Sequence, residues 1–209
     1  AGKAEPDVTV PQYNQSIVKN LAATMINNRL MEMVNSNNPP FTYGAVYHGG
    51  TYARGKEAFQ GMALTKDGKQ LDGLKVLLEE VERASKFGFT AVELERAKSQ
   101  ILSNMEKSYN NRDKTESAML VGEYVNSFLE QEPIPGIAGE YNQTKGFLPS
   151  VNLAQVNSIV KGYVKDDSQV IVITGPKKDG LVQPTESQVL KAMQEVKMAK
   201  LTPYEEKAN

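Results

Sequence analysis

One histidine, His48, and no cysteine in 209 residues set narrow limits on the chemistry this chain can do. Hydrolytic zinc sites draw several ligands from His, Cys, Asp and Glu and leave one position open for water. With a single histidine neither H-x-x-E-H nor H-E-x-x-H can occur, so no metal ligand is expected here. A Ser-His pair would have to use His48, and no serine lies in a G-x-S-x-G elbow. His48 ends an alternating run beside Gly49 and Gly50, which reads as a strand-end or turn histidine. The carboxylate pairs Glu79/Glu80 and Glu93/Glu95 fall on what read as polar helix faces and are expected to be solvated. Gly175–Gly180 lacks the G-x-x-x-x-G-K-[ST] spacing of a phosphate loop and reads as a turn. Two glycosylation-type triplets, at Asn14 and Asn142, are short patterns that arise by chance. No catalytic residue is assigned.

The bulk composition excludes further classes. The net charge is -1, and no basic cluster of the kind that binds nucleic acid is visible. No apolar run approaches the roughly 20 residues that span a bilayer. Ala1–Pro6 is short and polar and carries no signal-peptide pattern. The chain starts without methionine, which reads as a piece of something longer or a processed form. Hydrophobic residues at 40% supply enough core for one sizeable domain without disulfide or metal staples.

The elements that would position any site follow from periodicity. Residues 1–13 read as an extended segment with a turn at Pro11. From Asn14, Ile17, Leu21, Met25, Leu30, Met33 and Val34 give a helical stripe that Pro39 and Pro40 end. Phe41–His48 alternates as a strand, with Phe41, Tyr43, Ala45 and Tyr47 assigned to one face. Ala58–Thr65 is the returning strand of a hairpin, and Asp67-Gly68 a turn. Three helices follow. One stops at Gly88, one opens with the capping box Thr90…Glu93, and one spans Ser117–Leu129. A fourth long helix is expected from Asn152, capped by Gln155, and a last one from Thr185, capped by Gln188. Between them, Val170–Thr174 is a continuous β-branched run expected to be a buried strand. Glu132–Lys145 is the best linker candidate. The expected organisation is a single α+β unit over 14–198 followed by a polar tail over 199–209.

The eight methionines follow the helical stripes and are expected to fill core. The Phe41/Tyr43/Tyr47 row is expected to pack on helices, although a strand face of this kind can also offer contacts to an extended peptide.

Gly88–Leu102 (GFTAVELERAKSQIL) resembles the capping-box helix of the pitrilysin or insulinase family of zinc peptidases. In that family a helix pair ends in glycine and reopens with a threonine, a glutamate and an E-L-x-x-A-K-like run. Asn28–Val34 (NRLMEMV) followed by Phe41-Thr42-Tyr43-Gly44 is similar to the family's helix-to-strand step. Asn111–Ile137, with NRDKTES, EYVNSFL and EPIPGI, looks like the long bacterial branch of large envelope-associated proteases. The resemblance runs from about Asn14 to Lys178. It implies a two-layer α+β sandwich, with a small mixed or antiparallel sheet packed on several helices. It also implies a place as the second module of a half-enzyme, helping to form the wall of a substrate chamber. Zinc would be bound by another module of the same polypeptide, which carries H-x-x-E-H, so this chain alone would be inactive. The implied partners are that catalytic module and peptide substrates, in the bacterial periplasm or cell envelope, with no nucleic acid and no transmembrane segment. Tyr43 and Phe41 become candidate substrate contacts. The alternative is a structural or assembly subunit of the same fold without peptidase activity. Two features depart from the family. Ser36 stands seven residues before Tyr43, where relatives often place an arginine. Asp7–Tyr13 also leaves little room for a first strand, which predicts an unpaired sheet edge.

Overall fold

The computed structural model describes residues 2–4, 6–51, 53, 55–165 and 168–206. Its centre is α1 (Val10–Val34), whose buried residues Ile17, Val18, Leu21, Ala22, Met25, Ile26 and Leu30 form the middle of the core. After α1 the chain turns into the hairpin β2 (Tyr43–Gly50) and β3 (Lys56–Leu64). A two-residue strand, β1 (Gly2–Lys3), completes an antiparallel sheet in the order β1-β3-β2. Helices α2 (Gln70–Phe87), α3 (Ala91–Asn110), α5 (Gly136–Phe147) and α6 (Leu153–Lys161) pack around α1, and α7 (Glu186–Met198) packs on α2. The fold is α+β, with helices on one face of a sheet that is antiparallel throughout.

Capping chemistry explains most helix starts. Thr90/Glu93, Asn152/Gln155 and Thr185/Gln188 all form the expected reciprocal boxes. A fourth box, Thr9/Gln12, starts α1 at Val10. The segment 1–13 is therefore not wholly extended: Pro11 lies in the first helical turn, where a missing N–H costs nothing. The Thr-x-x-Gln spacing was present in the sequence and marks this start. The candidate linker Glu132–Lys145 is largely α5, and α6 is a short helix of 9 residues.

Two strand expectations are corrected. Phe41 precedes β2 and lies in the core with 1% exposure, so it does not share a face with Tyr43. Its ring fills the space above Gly44, where an added Cβ would lie 2.5 Å from it. Val170–Thr174 forms no regular element and joins no ladder among the described residues, and Val170 and Val172 are 87% and 78% exposed. β-branched propensity favours a strand only where neighbouring strands or packing complete it.

The sheet order leaves β2 at an edge, and α1 partly closes that edge. Asn27 Nδ2 donates to the Val46 carbonyl at 2.9 Å, and the Val46 amide donates to Asn27 Oδ1 at 2.7 Å. The side-chain amide thus takes the place of one residue of a neighbouring strand. Asn27→Ala leaves both Val46 groups without these partners, and its expected cost is about 1–3 kcal/mol, read from the urea unfolding midpoint.

Candidate functional site

Strand alternation divides the hairpin into two faces. Val46 and Gly44 point to the helices, joined by Phe59 and Ala63 from β3. The opposite face carries Tyr43, Ala45 and Tyr47, paired across the ladder with Leu64, Met62 and Gln60. Tyr43, Tyr47, Met62 and Leu64 are all exposed, so an open, mainly apolar sheet face results. Tyr47 donates its hydroxyl to Gln60 Oε1 at 3.0 Å, which holds one end of this face in register. The surface offers flat aromatic contact. Of the two candidate contacts, Tyr43 lies on this face and Phe41 lies behind it in the core.

His48 pairs with Phe59 toward the inner side and stacks near Tyr163, with ring centroids 5.9 Å apart. Tyr163 in turn stacks on Phe59 at 3.9 Å. Glu57 lies 3.7 Å from His48 Nδ1 but is already bonded by Lys19 Nζ at 2.9 Å. Burial lowers the His48 pKa, Glu57 opposes that shift, and Lys19 adds to it. This arrangement suits a packed strand histidine and does not suit a zinc ligand. Among the described residues no three His, Asp or Glu groups are placed to hold a metal ion. A lowered folded-state pKa means that the unfolded chain takes up the proton first, near 6.5. Acidification through that value therefore costs the folded state stability. The expected result is that His48→Gln flattens the loss of stability between about pH 7 and 5 in urea titrations.

The largest surprise lies in the core. Arg29 is 2% exposed and sits between two carboxylates that were expected to be solvated. Its Nε and Nη2 donate to the two oxygens of Glu93 at 2.5 and 3.0 Å, and Nη1 donates to Glu80 at 3.0 Å. Nη2 also reaches the Gly88 carbonyl, and Arg83 Nε holds the second Glu80 oxygen. The guanidinium lies over the rings of Phe89 and Tyr204, at 4.8 and 4.3 Å. Burial alone would lower the Arg29 pKa, but the bonds to Glu93 and Glu80 outweigh it and raise the value. Tyr204 brings the C-terminal segment into this cluster and donates to Glu32. Arg83 binds the Thr202 carbonyl, and Arg96 pairs with Glu206. The expected polar tail is thus fastened over 202–206.

A sequence signal for this cluster existed. Arg29 continues the i, i+4 row Leu21–Met25, and Glu80 lies between Leu77 and Ala84 on the buried side of α2. A charge inside an apolar row marks a buried pair as readily as a break in the stripe. The cluster is fully satisfied and sealed by aromatic rings, so it serves architecture.

No family model matches the chain. Over 128 residues, 60% of the chain, it is 28% identical to a PQQL-like zinc protease of Arabidopsis thaliana, covering 13% of that protein. Its structure resembles the first half of the periplasmic protease PqqL from Escherichia coli, with a TM-score of 0.73 and 14% identity over 97% of this chain and 43% of that one. The likeness to whole PqqL has a TM-score of 0.77 and 16% identity, over 96% of this chain and 22% of PqqL. An insulinase-family protease of Yersinia pestis gives 0.76 and 12% identity, over 93% of this chain and 42% of that one. At these identities the structural likeness establishes the fold. The chain spans less than half the length of each relative.

Proposed function

We propose that this chain, a relative of the PqqL-like zinc proteases with an insulinase-type fold, is a non-catalytic, chamber-forming module of a zinc-dependent metalloendopeptidase. The observation that carries the reading is the sequence match to a zinc protease in a chain whose single histidine rules out H-x-x-E-H. Zinc, held by another module, would supply the Lewis acid and the activated water. This chain's residues would contribute shape and contact. The open face bearing Tyr43 and Tyr47 is flat, aromatic and free of charge, which suits passing contacts with extended peptides of varied sequence. Phe41 supports that face from below through Gly44. The PqqL relatives are described as periplasmic, which favours the bacterial periplasm for this chain too.

An antibody against this chain, used on source cells, tests the reading. The expected band is several-fold heavier than 23.0 kDa and belongs to a polypeptide whose peptide cleavage stops on zinc chelation. A native chain near 23 kDa would replace it with the assembly-subunit reading. In the full polypeptide, Tyr43→Ala is expected to raise KM for peptides by roughly fivefold with little change in kcat. An unchanged KM would remove Tyr43 from the site and leave the module assignment standing.

A further inference from the structure

We propose that the outward face of α4 (Ser117–Glu130) is the surface on which this chain docks a neighbouring module of its own polypeptide, an inference that rests on the module reading above. Leu120, Tyr124 and Phe128 recur at i, i+4 and i+8, flanked by Val121, Val125 and Leu129. All six are exposed, Phe128 at 77%. The half-buried positions are instead Glu123, Ser127 and Glu130, spaced i, i+4, i+7. Glu123 and Ser127 look onto a cleft of about 520 Å3 that Asp7, Glu132 and Glu140 also line. The helix therefore turns its polar row toward the domain and its apolar band away from it. An amphipathic helix whose final environment is water takes the opposite orientation.

The segment after α4 is tied to the domain where the Asp7 amide donates to Glu132 Oε1 at 2.9 Å, and local contacts shape the helix end. Ser127 Oγ donates to the Glu132 carbonyl at 2.6 Å, and Gln131 adopts the left-handed conformation with φ 58° while its side chain bonds the Phe128 carbonyl.

Charge and area decide what covers it. α4 has two glutamates and no lysine or arginine, so an anionic membrane surface would repel it. A helix of 14 residues offers a strip of roughly 21 by 10 Å, about 200 Å2, against the roughly 800 Å2 per partner of a standard stable interface. A second copy would find too little surface to hold it. A module on the same polypeptide needs far less, because the linkage raises its effective concentration to the millimolar range. The structural relatives have that additional chain, since this one covers 43% of the PqqL half and 42% of the Yersinia protease.

Hydrogen exchange on the full native polypeptide tests this. In the wild type, amides of residues 117–130 are expected to exchange at least about tenfold more slowly than in a Val121→Glu/Phe128→Glu variant, at every protein concentration. Amides of α1 should be unchanged, which shows that the variant is folded; Tyr124→Ser is the milder substitute if they are not. Fast exchange of α4 in a wild-type protein that still cleaves peptides with zinc would overturn the docking face and leave the module reading intact. Protection that appears only at high concentration would overturn it in favour of a second copy. A native polypeptide without further modules would overturn both.

Discussion

Arg29→Ala is expected to destabilise the fold by about 3–5 kcal/mol, which for a chain of this length lowers the thermal midpoint by roughly 6–20 °C. The loss exceeds the value of any one hydrogen bond because two carboxylates stay behind. Glu93 is 5% exposed and Glu80 1%, so neither can regain water without opening the α1–α2–α3 junction. Arg83 still neutralises one oxygen of Glu80, at 2.9 Å. Glu93 keeps only its capping bond from the Thr90 amide. Glu93→Gln is expected to cost less than Arg29→Ala, because the neutral side chain can still accept from that amide. Urea unfolding of both variants, with near-ultraviolet circular dichroism following the rings of Phe89 and Tyr204, checks the order. Equal losses would show that the charge on Glu93 alone accounts for the cost of losing Arg29.

Gly88→Ala is expected to cost about 2–4 kcal/mol. Gly88 ends α2 with φ 72° and ψ -154°, a region that side chains other than glycine's hydrogen enter only with strain. An added Cβ would also lie 2.7 Å from the Asn157 side chain. Asn157 Oδ1 accepts from the Phe89 amide at 3.1 Å, so moving it frees a buried donor. The Gly88 carbonyl is itself a partner of Arg29, which couples this turn to the charged cluster. Gly146→Ala, inside α5 with open space around it, is expected to stabilise by about 0.5–1 kcal/mol. Thermal melts of the two variants should move in opposite directions.

The residues that specify local structure were legible without coordinates. Thr90 and Glu93, Asn152 and Gln155, and Thr185 and Gln188 cap helices through atoms three residues apart, so their effect is complete within one turn. Gly88 as a helix stop and the β2–β3 hairpin belong to the same class. Their order along the chain also carried the likeness to the insulinase-type peptidases, and the single histidine excluded H-x-x-E-H.

What depended on distant residues was decided by tertiary structure alone. Glu80 and Glu93 both meet Arg29, more than fifty residues earlier, and no pattern within either helix specifies that shared partner. Val170–Thr174 has every propensity of a strand, but a strand needs a neighbour, and no ladder forms there among the described residues. The Phe41/Tyr43 row shows the same limit: the chain enters β2 at Tyr43, so alternation does not extend back to Phe41, and the core takes it. Capping and periodicity act over a few residues and are written in sequence. Burial of charge, strand pairing and the face a helix shows to solvent are sums over contacts between segments far apart in the chain, and only the folded structure contains them.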